Sequence, residues 1–408
     1  MRVLIIGVGT RGDVAPYTGL GVRLLADGHE VAIAAHEPYA ALVSDAGLEF
    51  RDIPGDPLPL LPAGKGGPRV SMADKARMFA DYSRQLTDGI VGAVGQGADI
   101  LLLNVPASAG YHVAEAMGIP SMGVHLQPIE PTGDFPPVVG AFTRSLGRWG
   151  NRASARLAFA MPSPAHAGSA KRLRAALGLA PMSSSAVYRR REATRWPVLH
   201  GFSPLVLPRP SDWRAGLEVT GYWWPAPRSW QPSTQLGDFL ESGPPPVFIG
   251  LGSLGGSRAE RFTDLAVTAL RRAKLRGVLQ TGLAGPSGDD VLGVGDVPHD
   301  WLFRRVAAVA HHAGCGTTAA GLRAGVPAVG LPAMADQPLW ASRLAALGVG
   351  PDAIPLRHLT AERLADALKA AVDEPAYRLR AGELAHHLAA EDGVGAAARA
   401  VSRVLAGQ

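Results

Sequence analysis

The chain has one cysteine, Cys315, in 408 residues, a scarcity that excludes an internal disulfide and any zinc site built on cysteine pairs. No apolar run approaches the ~18 residues a membrane helix needs, so no membrane span is expected. The opening MRVLIIGVGTRGD breaks into glycine and charge too early for a signal peptide, and a cytoplasmic protein is expected. Lysine is nearly missing, with 5 against 35 arginines. The arginines are spread along the chain, so the net charge of +5 implies a weak general attraction to anions and no nucleic-acid partner. The one dense stretch, Arg144, Arg148, Arg152 and Arg156, stripes a helix face and reads as a solvated surface. No Asp-x-Asp pair occurs, which removes the usual sequence sign of a metal held against a diphosphate.

What is present is ample core-forming material: 47% hydrophobic and 18% charged residues over 408 positions. That length suggests two domains of about 200 residues each. The first half alternates strands (Arg2 to Ile6, Glu30 to Ala35, Leu48 to Ile53, Ile100 to Leu103, Ser121 to His125) with helices, the first of them over about Val14 to Ala26. The pattern restarts after a Pro- and Trp-rich stretch, with strands at Val247 to Leu251, Gly277 to Gln280, Ala307 to His311 and Ala328 to Leu331. Such alternation predicts parallel sheets covered on both faces. The expected division is 1–208 and 209–385, both α/β and Rossmann-like, with the boundary inside 209–246 and a helix in 386–408 crossing back to the first domain. The segment 54–68, with five prolines and four glycines, is expected to be a surface loop.

Two glycine turns draw attention. Gly7, Gly9 and Gly12 follow the first strand with the spacing of the dinucleotide fingerprint, and Glu37 lies near the end of the next strand. Asp13 argues against that use, because it sets a negative charge where a pyrophosphate would sit. Pro16 also stands where small packing residues are usual. The carboxylate of Asp13 instead faces the carboxyl end of the sheet, where it is either a helix cap or a base for an acceptor hydroxyl. The second motif, HHAGCGTT at 311–318, ends a strand and opens a helix whose free N–H groups and dipole form an anion site. Gly314 and Gly316 would let backbone approach phosphate, Thr317 and Thr318 offer hydroxyls, and Gly252-Ser253 provides a second turn facing the same crevice.

GTRGDVAP at 9–16, HHAGCGTT and PAMADQP at 332–338 together resemble the inverting glycosyltransferases of family 1, which have the GT-B fold of two Rossmann-like domains facing across a cleft. Within that family the chain looks most like the actinomycete antibiotic-tailoring branch of vancomycin glycopeptide type, and sterol glucosyltransferases share the RGDV turn. The resemblance implies Asp13 as general base and His312 as a donor to the diphosphate. It also implies Ser253, Gly314, Gly316 and Thr317 at the phosphates, Val297 at the nucleobase, and Asp336 with Gln337 on the sugar hydroxyls. Where the plant branch has a base-stacking tryptophan and a ribose-binding glutamate, this chain has Asp296 and Ala320, so uridine and thymidine donors both stay open.

The expectation is metal- and cofactor-free transfer of a sugar from a nucleotide diphosphate onto a hydroxyl of a small, antibiotic-like acceptor. A sterol or lipid glucosyltransferase, an NAD-dependent oxidoreductase and a non-catalytic nucleotide-sugar binder are the alternatives. Acceptor contacts are expected in the first half, with Phe79, Tyr82, His125, Phe135 and Trp149 as candidates.

Overall fold

The computed structural model describes residues 1–55, 71–138, 145–160, 164–252, 259–280 and 287–407. Most of the proline-rich stretch at 54–68 lies outside them. The first half runs β1 (Arg2–Ile6), α1 (Arg11–Ala26), β2 (Glu30–Ala35), α2 (Ala40–Ser44), β3 (Glu49–Asp52), α3 (Met72–Gly95), β4 (Ile100–Leu103), α4 (Gly110–Met117) and β5 (Ser121–His125). It continues through α5 (Gly147–Ala160), α6 (Pro164–Ala176) and α7 (Ser184–Ala193) to β6 (Val198–His200) and β7 (Leu217–Val219). These seven strands form one parallel sheet in the order β3-β2-β1-β4-β5-β6-β7.

The second half holds α8 (Thr234–Glu241), β8 (Val247–Gly250), α9 (Ala259–Ala273), β9 (Gly277–Gln280), β10 (Val291–Val294), α10 (His299–Leu302) and β11 (Ala308–His311). After these come α11 (Cys315–Ala324), β12 (Ala328–Gly330), α12 (Gln337–Ala346), α13 (Ala361–Asp373), α14 (Pro375–Ala389) and α15 (Gly393–Leu405). Its five parallel strands lie in the order β10-β9-β8-β11-β12.

The apolar runs explain the layering, because consecutive residues of a strand face opposite sides of the sheet. Leu4 and Ile6 pack with Ala32, Leu101 and Leu103 and with Ile90 and Val94 of α3. Val3 and Ile5 pack on the other side with Tyr17, Leu20 and Leu24 of α1 and with Ala397, Ala398 and Val401 of α15. The helix in the last segment of the chain therefore completes a core begun by the first.

Strand order fixes where a ligand can sit. β1 is flanked by β2 and β4, and β8 by β9 and β11, so in each sheet successive crossovers leave in opposite directions from these strands. The crevice outside the carboxyl end of such a strand is where open α/β sheets bind ligands; the turn of Gly7, Gly9 and Gly12 follows β1, and HHAGCGTT follows β11, the parallel neighbour of β8.

Three short strands were not anticipated. β6, β7 and β10 hold three, three and four residues and exist only through pairing with neighbours. Because β7 extends the first sheet to Val219, residues 209–219 pack with the first half, and the connector proper begins at Thr220. The GYWWP segment lies against α1 so closely that a Cβ on Gly19 would fall 1.8 Å from the Trp224 carbonyl oxygen. The Ala226 N–H also donates to Thr18 Oγ1 at 3.0 Å. Arg144 lies outside the described residues; on α5 the stripe is ion-paired as well as solvated, Arg148 with Asp134 and Arg152 with Asp212.

Candidate active site

The first wall of the cleft is the start of α1. The helix begins at Arg11, three residues before the anticipated Val14, because Thr10 is its N-cap and Asp13 its third residue. Asp13 Oδ2 accepts hydrogen bonds from the Thr10 N–H (2.9 Å) and Thr10 Oγ1–H (3.0 Å), closing a capping box. Asp13 is thus not the N-cap itself. Its Oδ1 has only a long contact, 3.5 Å, from Gln127 Nε2 in the loop after β5. Burial raises the Asp13 carboxyl above its ordinary 3.8, and the bonds from Thr10 and Gln127 oppose that rise.

The carboxylate also explains the glycine pattern. Gly9 has φ +135°, and a Cβ there would fall 2.5 Å from Asp13 Oδ2. At Gly12 a Cβ would meet nothing nearer than Thr10 Oγ1 at 3.8 Å. The middle glycine therefore makes room for an acid, and the third is not demanded by tight helix packing as the dinucleotide motif requires.

The opposite wall is the turn from β11 into α11. His311 is buried and accepts the Ala313 N–H on Nδ1 at 3.0 Å, so it serves the backbone. His312 is wedged between two glycines: a Cβ on Gly314 would lie 2.4 Å from its Nε2, and one on Gly252 2.9 Å from its Cε1. Burial lowers the His312 pKa to about 4, so the ring is neutral at pH 7 and donates from one nitrogen. Its Nδ1 is buried without a partner among the described residues.

No side chain caps α11 at Gly314, so its first N–H groups face the cleft. Gly316 is exposed there, Thr317 is half-buried, and Thr318 is buried with its hydroxyl unpartnered among the described residues. Ala313 (φ +59°) and Ala335 (φ +52°) hold left-handed backbone, a strain of about 1 kcal/mol or more per residue that concentrates at functional turns. They precede Gly314 and Asp336 respectively.

The two walls touch. Cys315 Sγ–H donates to the Leu126 carbonyl at 3.3 Å, and Arg11 reaches Asp296 at 3.1 Å, with Arg228 of the connector on the same carboxylate at 3.2 Å. Asp336 accepts the Trp340 indole N–H on Oδ2 at 2.7 Å. Its pKa is pushed up to about 6, first by burial and further by the nearby charge of Asp13. Burial, Asp336 and Asp13 likewise raise the Cys315 thiol. Gln337 Oε1 accepts the Ala333 and Met334 N–H groups at 2.9 and 3.2 Å, which leaves its amide N–H pair for a ligand.

Val297 is buried beside a cavity of about 320 Å³ walled by Trp230, Gln231 and Val294. A larger cavity, about 560 Å³, lies around Asp352, Arg363 and Tyr377 and includes none of these residues. Ser253 falls outside the described residues. Among the described residues no group of His, Cys, Asp and Glu is arranged to hold a metal.

The acceptor candidates separate. Phe79 and Tyr82 are half-buried on α3, with Tyr82 Oη 3.2 Å from His36 Nε2. Phe135 belongs to the core. His125 is buried with Nδ1 3.8 Å from Glu130 Oε1, and burial holds its pKa well below the ordinary value. Trp149 stands 85% exposed on α5. Sequence reasoning passed over Arg11, Gln127 and Trp340. The first and last lie within or just beyond the quoted motifs, whereas Gln127 carries no local signal.

Residues 3–129 match the glycosyltransferase family 28 N-terminal domain, and 283–399 match the C-terminal domain of erythromycin biosynthesis protein CIII-like enzymes. The O-mycaminosyltylonolide 6-deoxyallosyltransferase of Streptomyces fradiae is 39% identical over 97% of this chain and 95% of its own length. A sterol 3-beta-glucosyltransferase of Arabidopsis thaliana is 33% identical over 99% of this chain and 66% of its own. Among solved structures, the kitacinnamycin glycosyltransferase superposes with TM-score 0.73 at 21% identity, covering 98% of each chain. VinC, solved in complex with dTDP, superposes with TM-score 0.68 at 22% identity, covering 100% of each. No described helix is long and apolar enough to cross a membrane. With two facing parallel-sheet halves, matches to both domains and a relative alike along almost its whole length, the chain belongs to the antibiotic-tailoring glycosyltransferases of GT-B fold.

Proposed function

We propose that the chain transfers a sugar, with inversion and without a metal, from a thymidine or uridine diphosphate donor to a hydroxyl of a specialised-metabolite aglycone. One juxtaposition carries this reading: an uncapped helix start on one wall stands across from a carboxylate on the other, with Cys315 Sγ joining the walls at 3.3 Å. In displacement at an anomeric carbon, positive charge builds on the sugar and negative charge on the departing diphosphate. The N–H groups of α11 and neutral His312 meet the negative charge as fixed dipoles. Asp13 takes the acceptor proton, since its burial brings the carboxylate closer in basicity to an alcohol's needs. Asp336 and the free amide of Gln337 hold sugar hydroxyls, and the cavity beside Val297 has room for the nucleobase.

The test is incubation with UDP- and dTDP-hexoses and a library of polyketide and glycopeptide aglycones, read by mass spectrometry with and without EDTA. A glycosylated aglycone formed equally in both is expected. Donor consumption abolished by chelator and restored by Mg²⁺ or Mn²⁺ refutes the metal-free mechanism. Sterol glucosyltransferases 31–33% identical over 99% of this chain support a second reading with a sterol acceptor, and a sterol in the same library decides between them.

A further inference from the structure

We infer that Trp340 is a positioning residue: it ties the sugar-facing carboxylate of Asp336 to the docking of the two halves of the molecule. The inference rests on the reading of Asp336 as a ligand of the donor sugar. Trp340 is fully buried one turn into α12. Its indole N–H occupies Asp336 Oδ2 at 2.7 Å, leaving Oδ1 for a ligand. Its ring meets Phe202, just past β6 in the first half, edge-on at 5.5 Å and 64°. Phe202 is itself fully buried.

A second tie lies nearby: Arg343 Nε of α12 donates to the Val206 carbonyl at 2.7 Å. The helix that begins beside Asp336 is therefore held to residues 202–206 of the opposite half at two points. Movement of one half against the other passes through an unyielding indole into the carboxylate. Lysine or arginine in this role would bring a full charge and long torsional freedom, whereas an indole orients the acid while leaving its charge for the sugar.

The charged and titratable groups facing Asp336 are Asp13 from α1, which raises its pKa, and Cys315 from α11, whose thiol it helps to raise; the Trp340 N–H and its own backbone N–H lower it. Loss of that N–H moves the carboxyl above its value of about 6 and leaves less carboxylate at neutral pH to accept a sugar hydroxyl.

Calorimetric titration between pH 5 and 8 tests this with dTDP-glucose or UDP-glucose, whichever the unaltered protein binds, and with the matching free diphosphate. Trp340→Phe keeps the apolar ring and loses the donor. It is expected to weaken the nucleotide sugar about tenfold without changing affinity for the free diphosphate, and to move the acid-side loss of sugar preference to higher pH. Equal weakening of both ligands, no weakening, or an unmoved pH dependence overturns the inference.

Asp336→Asn separates the two levels. If it leaves the sugar preference intact, the reading of Asp336 itself falls. If it removes the preference and Trp340→Phe on that background weakens the sugar a further tenfold, only the role of Trp340 falls. Should Trp340→Phe fail to fold, Phe202→Leu carries the test. Several-fold loss of sugar preference with the same pH displacement is expected, and an unchanged preference overturns the inference.

Discussion

Replacing Asp13 by Asn isolates basicity from architecture. The amide oxygen can still accept the Thr10 N–H and Oγ1–H, the two bonds of 2.9 and 3.0 Å that start α1. The new group also fits beside Gly9, whose missing Cβ leaves the space the carboxylate now fills. Stability should hold, because burial already disfavours the charged form. What disappears is proton acceptance, worth about 10²–10⁴ in rate, or roughly 2.7–5.5 kcal/mol of barrier at ~1.36 kcal/mol per tenfold. The assay is kcat at saturating donor and acceptor, paired with thermal unfolding and calorimetric binding of dTDP. The expected result is a kcat loss of that size with Tm not lowered and dTDP affinity unchanged. A carboxylate base works ionised, so on the proposed role wild-type kcat falls as pH drops through the raised pKa of Asp13, above 3.8, and the acid limb vanishes from the residual rate of the variant. Turnover within about fivefold of wild type would return Asp13 to a purely capping role.

Three further expectations concern the opposite wall. Gly314→Ala drives a Cβ to within 2.4 Å of His312 Nε2, so the ring must move; a donor-directed loss in kcat/KM of about 10² is expected, as for a misplacement of ~1 Å. Gly316→Ala meets nothing within 4 Å and should leave Tm unchanged, so any loss of dTDP affinity there reports the ligand's approach; loss of Tm instead would refute the open-space reading. Asp336→Asn should stabilise the fold at neutral pH. The folded pKa of about 6 stands above the unfolded 3.8, so keeping the group ionised costs the fold up to ~3 kcal/mol. The gain is full above about pH 6, shrinks as pH falls toward 4, and is absent below; urea unfolding at pH 4 and 8 measures it, and an equal gain at both refutes the account.

The central strands were legible in the sequence because VLII, ILLL and VFIG are unbroken apolar runs bounded by glycine or polar residues, as doubly covered parallel strands must be. β6, β7 and β10 were not, because strands of three or four residues carry no period and are made by their neighbours. The start of α1 was read three residues late: T-x-x-D is a weaker form of the capping signature than the Glu or Gln version, and Pro16 drew the boundary toward itself. The quoted motifs led to Asp13, His312 and Asp336, yet their tuning was hidden. Gln127 stands 114 positions from Asp13 in sequence, and Phe202 meets Trp340 across 138 (340 − 202). Only folding creates those distances. Among the acceptor candidates, Trp149 shows the limit of reading aromatics by type, since a helical tryptophan predicts burial and this one is exposed.

The pairing of α15 with α1 has a consequence for biosynthesis. During translation the apolar side formed by Tyr17, Leu20 and Leu24 lacks its cover of Ala397, Ala398 and Val401 until the 373 residues (397 − 24) from Leu24 to Ala397 have been polymerised. The nascent amino-terminal half therefore waits with a sticky seam open, at synthesis speeds of about 5–20 residues per second, for some twenty to eighty seconds. The core around β1 and α1 is complete only when α15 docks.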